Sequence, residues 1–284
     1  MFTRGRLSRL ATAAAPVPGR RVWVPVLSAV HAAGRSTLAA LLAAELGARA
    51  RTLVLDTAPR TGSPWSAWIG RPGTGSAALP DRNPLPADVH AAVSRLPDRG
   101  DGVAVLTDVR PLDSAPLPPK PIAVWLERSA ATTHLVVLAD TADALLPPLV
   151  AAANGPVSGT ATGLDWLAVD RAVPVLCVPA TARGLDDALA AVTLVERLDL
   201  DAGRLVVALA ALAHRDLPRR VLAALTLLEA RVAAVVHLGY DRRIQGGSPP
   251  AGDARLPEAG ATGVARSARL EPSLLGHIRS AGGR

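Results

Sequence analysis

The sequence predicts an α/β fold, a mostly parallel central sheet flanked by helices. Two observations carry this. From residue 22 onward, short β-branched runs alternate with longer Ala/Leu-rich runs of helical spacing, the pattern of strands joined by crossover helices. The 284 residues are 49% apolar and 19% charged, which supplies a large core and sets the chain apart from ordinary disordered polypeptides.

In order along the chain, residues 22–28 read as a first strand, 36–46 as a helix ending at Gly47, and 51–56 as a second strand. Gly47 suits a helix end because glycine accepts positive φ without steric penalty. Further strands are predicted at 103–107, 135–140, 173–178, 205–209 and 232–238, and helices at 88–95, 163–170, 185–198 and 219–229. Segments 71–86, 111–121 and 245–260, rich in Gly, Pro or Ser, read as loops. None of them separates two self-sufficient cores. The expected organisation is a basic leader (1–20), one domain (21–241) and a loop-rich C-terminal extension with a short helix (242–284). No solenoid period or sustained heptad pattern is present.

Charge and cysteine content narrow the function classes. The formal net charge is +7, but Lys120 is the single lysine, and heavy Ala, Arg, Gly and Pro use points to a genome rich in G and C. Much of the arginine excess thus reads as codon bias, which tempers the inference of a nucleic-acid or anionic-lipid partner. The one cysteine, Cys177, excludes an internal disulfide scaffold and is compatible with a reducing, cytoplasmic location. Asp140, Asp143, Glu229 and Arg231 interrupt the longest apolar runs, so no segment reaches the roughly 18–20 residues of a membrane span.

The informative stretch is Ser28-Ala-Val-His-Ala-Ala-Gly-Arg-Ser-Thr37, between the first strand and the first helix. A phosphate-binding loop sits there when backbone N–H groups and the positive end of the helix face an anion and a hydroxyl at the helix start holds magnesium. Gly34 followed by Ser36 fits. Ala29 stands at the first glycine position, and Arg35 stands where a lysine would reach the phosphates. As a bare pattern the match fails.

Further landmarks agree in order. Thr52-Leu-Val-Leu-Asp-Thr-Ala-Pro59 is similar to a strand ending in Asp-x-Asp-Pro, and Leu135-Val-Val-Leu-Ala-Asp140 with Thr141 to a Walker B strand. Val173–Thr181 resembles a later strand leading into a helix near Gly184, and Leu205-Val-Val-Ala-Leu with Leu238-Gly-Tyr-Asp241 resembles the last two strands and a base-side loop. Over about residues 21–247 the chain thus resembles the MinD/ParA family of P-loop ATPases, in particular the divergent MinD-like proteins of actinobacteria. The resemblance implies nucleotide contacts from Ala32, Ala33, Gly34, Arg35, Ser36, Thr37, Tyr240 and Asp241. It implies Mg2+ held by Ser36 directly and by Asp56 and Asp140 through water, with ATP or another purine nucleotide as ligand.

Departures from the family pattern bear on activity. Val30 occupies the position of the lysine that reaches across a dimer, and Ala58 that of the acid that orients the attacking water. Arg35 keeps a charge, but a guanidinium does not substitute for an ammonium under a phosphate loop. The expectation is weak ATP/Mg2+ binding with slow or absent hydrolysis and no catalytic residue assigned, used as a switch for homodimerisation or for an unidentified protein partner. Two alternatives stand beside it: an interaction scaffold that binds no nucleotide, and an arginine-rich accessory for DNA or anionic membrane. The bland reading of Gly34–Ser36 is an ordinary strand-to-helix turn, and of Asp56 and Asp140, helix caps or loop anchors.

Other motifs are assigned structural roles. The leader, with Arg4, Arg6, Arg9, Arg20 and Arg21 beside Phe2, Leu7 and Leu10, reads as a solvated arm with DNA or membrane contact as the sharper alternative. Segment 269–279 reads as packing against the domain in preference to a membrane-docking helix, since Pro272 and Gly276 weaken it. Trp65 and Trp68 read as sealing a core or a domain edge in preference to stacking a base. The six histidines show no metal spacing with Cys177, and the Gly73-Thr-Gly75 match to a dinucleotide fingerprint follows no strand.

Overall fold

A computed structural model describes residues 21–31, 34–97, 102–155, 163–210 and 219–238. The leader 1–20, Ala32, Ala33, Tyr240, Asp241 and the extension 242–284 lie outside the described residues.

The strands are β1 (Val22–Ser28), β2 (Thr52–Asp56), β3 (Ser94–Arg95), β4 (Val103–Leu106), β5 (Val136–Asp140), β6 (Val175–Pro179), β7 (Val206–Ala210) and β8 (Ala234–Leu238). They form one sheet in the order β3-β4-β2-β5-β1-β6-β7-β8. Every neighbouring pair is parallel except β3 with β4. The helices are α1 (Arg35–Gly47), α2 (Trp65–Trp68), α3 (Pro86–Ala92), α4 (Ile122–Ala130), α5 (Leu146–Asn154), α6 (Gly163–Leu167), α7 (Ala182–Arg197) and α8 (Arg219–Glu229).

A parallel sheet must be covered on both faces, and strand alternation divides the core accordingly. Val24, Val26, Val54, Leu138 and Cys177 face α1 and the tryptophans Trp65 and Trp68. Leu27, Leu53, Leu55, Val137, Leu176 and Val207 face the opposite layer, built from Trp125, Leu149, Trp166, Leu185, Val192 and Leu228. α1 crosses β1, β5 and β2 and buries Leu38, Leu41, Leu42 and Leu46, so it is apolar nearly all round and lies against the middle of the sheet.

The predicted strands and helices recur with small shifts, and β1 and α8 keep the predicted bounds. Three differences have physical causes. The helix expected at 88–95 starts at Pro86 and stops at Ala92, because Ser94 and Arg95 pair antiparallel with β4. α4 and α5 were not expected; α5 carries its prolines in the first turn, where they cost no hydrogen bond. Gly47 does not adopt positive φ. It is glycine because an added Cβ would lie 2.3 Å from Val103 Cγ2, so the close approach of α1 to β4 demands it.

Candidate functional site

Strand order places the carboxyl ends of β1, β5 and β2 side by side. Asp140 stands opposite Val26 on one side and Asp56 on the other, so the two carboxylates occupy adjacent register positions. The chain leaves β1 for α1 on one face and leaves β5 for α5 on the other, which opens a crevice at the sheet edge between them.

Gly34 precedes α1 with φ of 84°, the left-handed conformation that favours glycine, and no side chain caps the helix N-terminus. Ser36 and Thr37 are half-buried on the first turn of α1. The loop after β1 is zipped to the loop after β5: Leu145 and Leu146 N–H donate to the Ser28 and Ala29 carbonyls. Arg35 completes the zip, with Nη1 donating to Asp143 O at 2.6 Å and Nη2 to Ala142 O at 2.5 Å. Each terminal nitrogen of the loop cation thereby gives one N–H to backbone. Burial lowers its pKa, against the pull of Asp140.

Asp56 is 4% exposed and holds three donors: Ser63 Oγ and Thr107 Oγ1, each 2.6 Å from Oδ2, and Ala58 N–H, 3.2 Å from Oδ1. Burial, reinforced by the Asp140 charge, outweighs these bonds and pushes its carboxyl from the ordinary 3.8 up to about 7. Asp140 is 1% exposed and accepts from Trp65 Nε1 at 2.7 Å through Oδ2. Its Oδ1 is buried without a hydrogen-bond partner. Burial raises its pKa too, opposed by Ser36, Trp65 and Arg35. The Asp140 carbonyl accepts from both Thr57 N and Thr57 Oγ1, which fixes the chain beyond β2 against β5.

Two adjacent buried carboxyls with raised proton affinity, a serine hydroxyl beside them and an orphaned Asp140 Oδ1 fit a hard divalent cation, which takes oxygen donors and would favour the ionised form of both acids. Ser36, Asp56 and Asp140 would hold it. The set contains no soft donor: Cys177 lies beneath the site, but burial pushes its thiol up to about 12 and leaves it inert. No cluster of three or more His, Cys, Asp or Glu suited to a metal occurs among the described residues.

Of the sequence-predicted site residues, Gly34, Arg35, Ser36, Asp56 and Asp140 come together. Ala32, Ala33, Tyr240 and Asp241 lie outside the described residues. The residues missed were Ser63, Thr107 and Trp65, which grip the two acids. Trp65 is fully buried, edge-on to Trp68 with ring centroids 5.4 Å apart, so it seals the core as expected and also orients Asp140.

Among solved structures, the chain is similar to the MinD cell division protein of Aquifex aeolicus, at 17% identity and a TM-score of 0.53 over 93% of this chain and 97% of that one. It is similar also to a plasmid partition protein of Borrelia burgdorferi bound to AMPPNP, at 10% identity and 0.51 over 91% and 100%. Apo McdA of Cyanothece matches at 13% identity and 0.51 over 93% and 100%. The fold is that of the MinD/ParA-type P-loop ATPases. No protein-family model matches the chain, and no curated protein does. No helix among the described residues is long and apolar enough to cross a membrane.

Proposed function

We propose that this protein binds a purine nucleotide with Mg2+ weakly at the carboxyl edge of β1, β5 and β2, and uses occupancy to bias dimerisation or docking of a protein partner. The observation that carries the reading is the pairing of Asp56 with Asp140 in one register beside the left-handed Gly34 that opens α1. The uncapped N–H groups of α1 supply an anion cradle, and the two acids with Ser36 supply oxygen donors for the cation that accompanies a polyphosphate. AMPPNP in the Borrelia partition protein gives the ligand class by analogy of fold.

Turnover is slow or absent in this reading. Ala58 offers a backbone N–H to Asp56 but no side-chain acceptor for an attacking water, and Val30 offers no cation. Arg35 places its charge near the cradle while one N–H of each η nitrogen holds the Ala142 and Asp143 carbonyls, so it serves phosphate by its charge and by the N–H groups that remain. That same contact favours a second reading, a scaffold in which Arg35 braces the edge and no nucleotide enters. The basic leader as a DNA or membrane contact rests on residues outside those described.

Calorimetry with ATP and Mg2+ on the wild type and on Arg35→Ala separates the two. Saturable heat in the wild type, weakened in the variant by about tenfold or more, supports the switch; no heat at millimolar nucleotide supports the scaffold. Arg35→Lys alone is expected to leave ATP turnover at the wild-type level, because Val30 and Ala58 remain, and robust hydrolysis in that variant would overturn the account of activity.

A further inference from the structure

At the amino end of β1, Trp23 borders a groove of about 920 Å3 between α4 and the chain that follows α6. One wall is the line of Ile122, Leu126 and Ala130, spaced four residues apart along α4, whose Val124, Trp125 and Arg128 are buried. Ala168 and Val169 form the other. Trp23, Ile122, Leu126 and Val169 are half-buried, and Ala130 and Ala168 are exposed, so the groove presents apolar surface that no described segment covers. A small-molecule site encloses roughly 70–90% of its ligand's surface. This groove is open to solvent and suits a stretch of polypeptide instead.

Three carboxylates, those of Glu127, Asp165 and Asp170, stand around the groove against two guanidinium groups, Arg21 and Arg171. Both cations are engaged: Arg21 donates to the His134 and Thr132 carbonyls at 3.1 and 2.9 Å, and Arg171 lies 3.5 Å from Asp170. Glu127 accepts the Asn83 N–H at 3.0 Å and forms no ion pair among the described residues. An occupant with apolar side chains and positive charge therefore complements the groove. Position decides which occupant. The described residues begin at Arg21, on the groove's own rim, so residues 1–20 join the molecule there. They carry Arg4, Arg6, Arg9 and Arg20, no acid, and the apolar Phe2, Leu7 and Leu10. A tethered segment has an effective concentration on the order of millimolar, so contacts too weak to recruit a separate partner suffice for it.

We propose that this groove is the docking site of the chain's own leader, residues 1–20, which lays apolar side chains on Trp23, Leu126 and Val169 and arginine beside Glu127. The inference is independent of nucleotide: Trp23 stands opposite Val137, at the start of β5, whereas Asp140 ends that strand. The solvated arm that the sequence suggests is the alternative the test must exclude.

The test is photo-crosslinking in the full chain, with a benzophenone maleimide attached to Ala11→Cys; Cys177 is buried, which leaves the new thiol as the one that reacts. Ten residues separate position 11 from Arg21 and span at most about 36 Å, so an undocked leader labels the surface broadly. Docking predicts intramolecular crosslinks concentrated on the peptides that carry Trp23, Leu126 and Val169. Glu127→Arg, at an exposed position, is expected to lower the groove-crosslinked fraction about twofold to fivefold, the reach of an exposed ion pair. Ala168→Arg, which places bulk and like charge in the groove, lowers it at least as far, and Leu222→Arg on the exposed face of α8 leaves it unchanged, with native circular dichroism in all three. Crosslinks spread over the surface overturn the proposal in favour of a solvated arm. Crosslinks that join two chains on a denaturing gel overturn it in favour of a second copy, and an unchanged groove fraction in Glu127→Arg or Ala168→Arg overturns it as well.

Discussion

The two ends of the sheet bury titratable groups in opposite ways. At the carboxyl end, burial raises the pKa of both Asp56 and Asp140, and the Asp140 charge raises that of Asp56 further. Before the amino end of β5, His134 is desolvated among Arg95, Arg51, Arg21 and His90, and its pKa falls from 6.5 to about 4. The partners differ in kind. Arg21 is spent on the carbonyls of His134 and Thr132, and Arg51 on Thr133 Oγ1, so these cations stitch the chain entering β5. Each end keeps a buried polar atom without a hydrogen-bond partner, His134 Nδ1 and Asp140 Oδ1, but Asp140 Oδ1 belongs to an acid that lies beside an uncapped helix and a second buried carboxyl. Neither desolvation nor a missing partner alone marks a functional site; the two adjacent acids beside an uncapped helix N-terminus are what single out the carboxyl end as the candidate.

The largest effect that sharpens this contrast is at Trp65. Trp65→Ala removes a fully buried ring and the donor to Asp140, with an expected loss of about 3–5 kcal/mol in urea unfolding. Trp65→Phe keeps most of the volume, and its smaller loss of about 1–3 kcal/mol isolates the hydrogen bond. A negligible loss in Trp65→Phe beside a large one in Trp65→Ala would mean that Trp65 is core packing and nothing more.

The pH dependence comes next and has opposite signs at the two ends. The folded-state pKa of Asp56 lies above its ordinary 3.8, so its contribution to stability is complete below about 4 and is lost as pH rises through about 7. His134 is depressed, so its contribution is complete above about 6.5 and is lost as pH falls through about 4. Asp56→Asn is therefore expected to raise Tm at pH 8 relative to pH 5, by about 2–4 °C for each kcal/mol relieved. A Tm difference between variant and wild type that does not change with pH contradicts the raised pKa.

Smaller effects are expected among the stitching arginines. Arg21→Ala loses two bonds to carbonyls from a half-buried guanidinium, an expected cost of about 1–3 kcal/mol by chemical denaturation. Arg51→Ala gives up one exposed bond of 3.2 Å and is expected to change stability by no more than about 0.5 kcal/mol. Loss of Mg2+-dependent ATP binding in either variant would break the division between the two ends.

The sheet was legible because β1, β2 and β5 are apolar runs ended by Ser28, Asp56 and Asp140, and both acids fell at strand ends as expected. β3 was not, since two residues become a strand only through their pairing with β4. α5 opens on Leu146-Pro147-Pro148, which reads as a break until the prolines are placed in the first turn. At the site, Ser63, Thr107 and Trp65 come from segments that meet only once β4, β2 and β5 are ordered side by side. The Arg35 contacts had no signal at all, because their acceptors are the backbone carbonyls of Ala142 and Asp143.

The central claim, that the paired acids serve a cation brought in with a nucleotide, is tested most directly by titrating the protein with ATP and Mg2+ at pH 7 in buffers of different ionisation enthalpy. The account predicts saturable, Mg2+-dependent heat accompanied by net proton release, as Asp56 gives up the proton it holds in the free protein, with the release abolished in Asp56→Asn. Saturable binding without proton release, or no saturable heat at millimolar nucleotide, would contradict it.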